Sequence, residues 1–263
     1  MEKKRNSIIA VVIIILIIGL VGYIVMDKKI LKPQNQTTSE KQEVNKIIKL
    51  DTDNANIKAL INKVHNPSEQ LDTLIYNTGG SKVENMNEEY KFSIATNEKN
   101  INIKTINPPD KTGNTGYVTE QEIKDAYEKL FGPGTYQQID SFKLGCINMT
   151  YDKETKRYTT TKKDCGIAIT PVRAYEEIIS ATKQNNTLTI ITAAIFYDAS
   201  IGKLFKDSDL TKETPQTSNT SLSEQEIRKY ITKNKDELNQ YTYTFDIGVD
   251  GFYYYKGVER TKE

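Results

Sequence analysis

The first pattern along the chain is unbroken and apolar. Residues Ser7 to Met26, SIIAVVIIILIIGLVGYIVM, carry no charge. Twenty residues at a helical rise of about 1.5 Å span roughly 30 Å, the hydrocarbon thickness of a bilayer. A cleavable signal peptide has a shorter apolar core, about 7–15 residues, with small residues before the cut. Here the run is longer and ends on Tyr23-Ile24-Val25-Met26, so it predicts an uncleaved N-terminal transmembrane helix. Residues 27–43, DKKILKPQNQTTSEKQE, are polar, lack aromatics and contain a proline, which predicts a flexible stalk.

Beyond the stalk the apolar spacing becomes helical, with Ile57, Leu60, Ile61 and Val64 at i, i+3, i+4 and i+7. Ser68 is placed to cap a second short helix, SEQLDTLIY, that Gly79-Gly80 ends. Alternation of Tyr90, Phe92 and Ile94, then Ile101 and Ile103, suggests a hairpin, although a helix over Tyr90 to Ile94 also fits. These elements predict a small, mainly helical subdomain over 44–106. The turn-rich run NPPDKTGNTGY (107–117) predicts a linker, and 118–263 an α+β domain of helix-plus-hairpin units.

Within that domain, VTEQEIKDAYEKLFG reads as a helix closed by Gly132-Pro133-Gly134. FKLGCINMTYDKETKRYTTTKKDCG reads as two extended arms around DKETK. VRAYEEIISATKQNNTLTIITAAIFYD reads as a hairpin with Asn185-Asn186 at its tip, since asparagine tolerates the positive φ of tight turns. A helix started by Thr170-Pro171 is the alternative for its first arm. After the polar run KETPQTSNT come a helix, LSEQEIRKYITKNKDEL, and a closing hairpin, YTYTFDIGVDGFYYYKGV, turning near Asp250-Gly251. The fold class expected is α+β: transmembrane helix, polar stalk, then short helices and antiparallel hairpins. Short turns in place of crossover helices argue against a parallel nucleotide-binding sheet.

Two stretches nearly repeat, VTEQEIKDAY from 118 and LSEQEIRKY from 222. In each, Thr119 or Ser223 is an N-cap and Glu122 or Glu226 completes a capping box. Val118 with Ile123, and Leu222 with Ile227, fit the hydrophobic staple. Glu120 and Glu224 suit the positive end of the helix dipole. The repeat therefore reads as one helix start written twice, not as a pair of catalytic carboxylates.

Charge narrows the partners. With Glu2, Lys3, Lys4 and Arg5 set aside, the body from residue 27 holds 33 basic and 34 acidic residues. So balanced a surface offers no basic stripe to nucleic acid. Lys3, Lys4 and Arg5 before the apolar run are nearly matched by Lys28, Lys29 and Lys32 after it, so flanking charge does not decide orientation. The long C-terminal body does: the expected topology is N-terminus cytoplasmic, body extracytoplasmic, in the cell membrane. The wealth of lysine, isoleucine and asparagine, with one histidine and no tryptophan, is what an AT-rich bacterial genome writes.

The only cysteines, Cys146 and Cys165, fall on opposite arms of one proposed hairpin. Opposed Cβ atoms there lie about 4.5–5.5 Å apart, and a structural disulfide is expected over a redox pair or metal ligands. His65 reads as a C-terminal helix cap. Ser200-Ile201-Gly202-Lys203 and Lys111-Thr112-Gly113 imitate a penicillin-recognising enzyme, but in reversed order and without the middle element. DTDN at 51–54 begins like a calcium loop and lacks its glycine and glutamate. Asp207-Ser208-Asp209 reads as a loop pair. No motif nominates a catalytic residue, a metal ligand or a cofactor. The candidate binding face is the tyrosine row Tyr241, Tyr243, Tyr253 and Tyr255; exposed aromatics could stack on sugar rings or take up a peptide strand, or else simply cover a sheet.

The basic start and span, SEQLDTLIY, YVTEQEIKDAYEKLFG, the cysteine hairpin and YTYTFDIGVDGFYYYKGV together form a layout. It resembles that of uncharacterised single-pass proteins of low-GC Gram-positive bacteria. The resemblance implies an anchored, disulfide-containing α+β body and assigns no activity to any residue. The function expected is a non-enzymatic extracytoplasmic module that binds a protein, peptide or wall component, held to the lipid bilayer through residues 7–26. The alternatives are a small-ligand sensor or carrier and, less favoured, a cell-wall hydrolase. A deep cavity lined by polar side chains would favour the ligand reading, and a filled core with one exposed tyrosine face the interaction module.

Overall fold

Long antiparallel strands dominate the structure, a computed structural model that describes residues 46–64, 73–96, 101–144, 147–161, 172–215 and 222–262. Asn45–Glu263 form one compact unit. Chain order is β1 (Ile48–Lys49), α1 (Ala55–Val64), a π-helical turn (Thr73–Asn77), β2 (Gly80–Lys82), α2 (Glu88–Ala95), β3 (Lys104–Thr105) and β4 (Gly116–Thr119). Then follow α3 (Glu120–Phe131), β5 (Ser141–Leu144), β6 (Ile147–Asp152), β7 (Arg157–Thr160), β8 (Val172–Gln184), β9 (Thr187–Asp198) and β10 (Lys203–Phe205). The chain continues through α4 (Glu224–Asn234), β11 (Asn239–Ile247) and β12 (Tyr253–Lys262).

The strands make two sheets, every pairing antiparallel. One runs β1-β8-β9-β11-β12-β2, with β10 also on β9; the other runs β3-β4-β7-β6-β5. The β8–β9 hairpin closes through Asn185 and Asn186, Gln184 opposite Thr187, with Asn185 at φ +53°. Alternation decides what each long strand buries. Tyr241, Tyr243 and Phe245 of β11 join Leu188, Ile190, Ala194 and Phe196 of β9 in the main core. On the opposite face Ala193, Ile195 and Tyr197 meet Ile227 and Ile231 of α4 in a smaller cluster. Each of the leucine, isoleucine and phenylalanine side chains among them, fully buried, contributes about 1.5–3 kcal/mol.

Both repeated helix starts are capping boxes. The Thr119 hydroxyl oxygen accepts from the Glu122 N–H, while the Glu122 carboxylate accepts from the Thr119 N–H at 3.0 Å. Ser223 and Glu226 repeat the arrangement at the start of α4, with the backbone bond at 2.8 Å. The box at α3 is tied to the second sheet, because Tyr151 of β6 donates to Glu120 at 2.7 Å. α3 then serves both sheets: Glu120 holds Tyr151 of β6 and Phe131 packs on Tyr255 of β12, while Tyr127 packs on Phe92 of α2.

The expected α+β class is corrected by this architecture. The described residues are mainly antiparallel sheet with few helices, and the helix-plus-hairpin unit is not the organising element. The arm FKLGCINMTYD is two strands, since β5 pairs back on β6 with Leu144 opposite Ile147. The arm VRAYEEIISATK is strand throughout β8, because it pairs with β9 along its length and packs Val172, Ala174 and Ile178 on the main core and Tyr175 and Ile179 on the smaller cluster. The hairpin reading of Tyr90–Ile103 fails at its first arm, which is helix α2. Asn87 caps it by accepting from the Tyr90 N–H, and Phe92 sinks among Tyr127, Tyr136, Phe142 and Tyr158. The stretch 107–117 lies inside the compact unit, for β2 pairs with β12 across it in sequence. No helix among the described residues is long and apolar enough to cross a membrane. The run 7–26, the stalk 27–43 and His65 lie outside the described residues. So do Cys146 and Cys165, and no disulfide enters the described fold.

Candidate functional site

A cleft of about 770 Å³ opens along the edge of β8 opposite β9, walled by α1 and α4. Each wall follows from local sequence. α1 sends Ile57, Ile61 and Val64 into the core, which leaves Lys58 and Asn62 on its flank. Its start is the DTDN segment: Asp51 accepts from the Asp53 N–H at 2.9 Å and Asn54 from the Asn56 N–H at 2.8 Å. What resembled a calcium loop is thus a turn and a helix cap. α4 buries Ile227 and Ile231, so Gln225, Arg228, Lys229, Thr232 and Lys233 fall along the cleft. The floor is Glu176, Glu177 and Ile178 of β8.

Strand alternation sends the two adjacent glutamates to opposite faces. Glu177 points to the α4 side, where its carboxylate accepts a short hydrogen bond from Arg228. Arg228 is further held by Glu224, Nη2 to Oε1 at 2.7 Å, and its Nη1 donates to the Glu176 carbonyl oxygen at 3.3 Å. Glu176 points to the main-core side. Its carboxylate accepts from the hydroxyls of Tyr76 at 3.0 Å and of Tyr243 at 3.1 Å. Burial, and then the neighbouring Glu176 charge, push the Tyr243 hydroxyl well above the ordinary phenol range. The same causes raise Tyr255, whose hydroxyl is buried with no hydrogen-bond partner among the described residues. At the α1 end Lys58 and Asp53 pair at 2.8 Å, which holds the Asp53 carboxyl below its usual range.

The cleft therefore presents four cationic side chains, Lys58, Arg228, Lys229 and Lys233, against three carboxylates, Asp53, Glu176 and Glu177. Such a surface recognises charge and hydrogen-bonding groups. General acid catalysis needs a carboxyl raised toward neutrality; Asp53 is shifted the other way. Among the described residues no group of three or more His, Cys, Asp and Glu is placed to hold a metal ion.

The tyrosine row lies elsewhere than expected. Tyr241, Tyr243 and Tyr255 are each 0% exposed in the main core, and only Tyr253 is partly exposed. Their rings cover the inner face of the sheet, so they do not form an open binding face. Tyr243 reaches the site from within, through Glu176. Ser200 sits in the β9–β10 turn, donating to Asp198 at 2.6 Å, and Lys203 pairs with Glu213 at 2.9 Å. Lys111-Thr112-Gly113 belongs to a turn before β4, with Asp110 accepting from the Thr112 hydroxyl. Asp207 accepts from the N–H groups of Thr211 and Lys212, as a loop-closing residue does.

Sequence reasoning missed the cleft residues. One signal was present: Arg228, Lys229, Thr232 and Lys233 recur at helical spacing on the polar side of α4. No family model, curated protein or solved structure matches this chain.

Proposed function

We propose that this chain is a non-enzymatic binding module whose ligand lies in the cleft between α1, the β8 edge and α4. The observation that carries the reading is the cleft itself, a cavity within the 300–1,000 Å³ range of ligand sites and lined mainly by charged and amide side chains. The uncharged run Ser7 to Met26 supports membrane attachment, with the body outside the cytoplasm. The buried tyrosines argue against the alternative of a flat aromatic docking face.

Site-specific photo-crosslinking in intact cells tests the cleft. A benzophenone side chain replacing Thr232 is expected to give adducts that the same group at Asp125, an exposed position of α3, does not. Equal yields at both positions would remove the cleft as the ligand site. Location is tested apart from it. A membrane-impermeant maleimide should label a cysteine introduced between residues 27 and 43 in intact cells, and labelling only after lysis places the body inside.

A further inference from the structure

The floor of the cleft is a β-strand edge that, among the described residues, is only partly paired. β8 pairs with β9 along its whole length, but on its other side β1 reaches only Thr182 and Lys183, with the Leu50 N–H donating to the Ala181 carbonyl at 2.8 Å. After Leu50 the chain turns at Asp51–Asn54 into α1 and leaves that edge. Among the described residues no strand pairs with β8 on this side from Val172 to Ser180. Which backbone groups face outward follows from register. The Ile247 N–H donates to the Asn186 carbonyl, so even-numbered residues of β9 turn their N–H and C=O toward β11. Ala194 and Thr192 therefore turn away from β8, and their partners Glu176 and Ile178 turn outward, as does Ala174. Arg228 donating to the Glu176 carbonyl from outside the sheet agrees with this phase.

We propose that the cleft takes an extended peptide of a partner protein, added as a further strand on β8; the inference rests on the cleft being the ligand site. An edge from Val172 to Ile178 is roughly 20 Å long and accommodates a strand of about six residues. The two helices keep the edge from indiscriminate pairing, and the cleft of about 770 Å³ between them is where the added strand lies. Side chains of an added strand alternate between the walls. Those toward α4 meet Lys229 and Lys233, with Arg228 beside them, and are acidic. Those toward α1 meet Ile61 and Ile178 and are small and apolar. The incoming N–H replaces Arg228 at the Glu176 carbonyl, and the guanidinium stays with Glu177 and Glu224.

The test uses the full-length chain in mild detergent and a capped synthetic peptide of about eight residues that alternates glutamate and valine. Binding is read by titration calorimetry and by amide exchange. The expected result is saturable binding that slows exchange at Ala174 and Ile178. N-methylation of alternate peptide amides, in whichever phase faces β8, weakens it by about tenfold or more, and Ala174→Pro does the same, since that proline removes an outward N–H and leaves the β9 pairing intact. Charge reversal by Lys229→Glu with Lys233→Glu shifts preference to a lysine–valine peptide. If Ala174→Pro fails to fold, the methylated peptides carry the test on the unaltered protein. Binding that is abolished by the charge reversal but indifferent to both methylated forms overturns strand addition and leaves the cleft as the ligand site. No binding at about 1 mM overturns the proposal; only if crosslinks at Thr232 also vanish does the cleft reading fall with it. Protection of Ala174 and Ile178 that grows with protein concentration, without peptide, assigns the edge to a second copy of the chain and likewise overturns the proposal.

Discussion

Replacing Thr119 by alanine removes one half of a capping box while leaving the helix sequence untouched. Two contacts go: the 3.3 Å bond from the Glu122 N–H and the 2.6 Å bond from the Thr119 hydroxyl to the Glu122 carboxylate. The carboxylate keeps the Thr119 N–H and the 2.9 Å pair with Lys104. The loss is therefore about 1 kcal/mol, the ordinary worth of an N-cap. Thr119→Ser, which keeps the oxygen, should lose a few tenths at most. Acid sharpens the prediction. The Glu122 pKa is lowered from 4.5 to about 2, first by the Thr119 hydroxyl and then by Lys104 and the Thr119 N–H, which the alanine variant retains. At face value that is roughly 3 kcal/mol. The Glu122 side chain is 42% exposed, and solvent screening brings the figure to about 1 kcal/mol. A depressed acid contributes stability that is complete above its unfolded pKa and disappears as pH falls through the folded one. The gap between wild type and Thr119→Ala should hold steady from pH 7 to about 5, then narrow from about 4.5 down to 2. Urea unfolding followed by circular dichroism at several pH values measures it. A gap under about 0.3 kcal/mol at neutral pH, or one that widens in acid, would refute the reasoning.

Two fully buried tyrosines should respond in opposite senses. Tyr243→Phe removes a donor from the Glu176 carboxylate and should cost about 1.5–3 kcal/mol, whereas Tyr255→Phe removes a buried hydroxyl without a partner and should be neutral or stabilising by about 1 kcal/mol. Chemical denaturation of both variants decides it, and a Tyr255→Phe loss above about 1 kcal/mol would contradict the assignment. Gly80→Ala should lower the melting temperature sharply, because φ is +86° and the new Cβ would lie 2.2 Å from the Val258 carbonyl oxygen; an unchanged midpoint in a thermal scan would count against the β2–β12 pairing.

Legibility in the sequence followed the range of the interactions. The capping boxes were readable because every participant lies within four residues. The β8–β9 turn was readable because Asn185 answers a local backbone demand. Phe92 and Ile94 misled, because a short helix buried on most sides shows no helical period: Phe92, Ser93, Ile94 and Ala95 are all buried. The tyrosine alternation of β11 was visible, but whether that face met solvent depended on α3, Tyr76 and the second sheet, all distant in sequence. The cleft was hidden for the same reason. Lys58, Glu176 and Arg228 are ordinary surface charges until the fold brings three separated segments to one edge.

The repeated stretch also diverges in use. Glu120 holds Tyr151 of the second sheet, and its counterpart Glu224 holds Arg228 of the cleft wall. One local device thus anchors a core in one place and a recognition surface in the other.

The extra residue in β8, Ile179, acts as a phase shifter. Ile178 is opposite Thr192 and Ser180 opposite Ile191, so the strand is read in one phase beside β1 and in the other beside the cleft. Were Ile179 instead paired in register opposite Thr192, the phase set by Ala181 would continue, Glu177 would lie opposite Ala194 and face Tyr243, and Glu176 would face Arg228. Two neighbouring glutamates would exchange trades with no change in either one. Ironing out the bulge with every residue in place is therefore a route by which related chains could swap which carboxylate is structural and which is offered to a partner, keeping composition and sheet order constant.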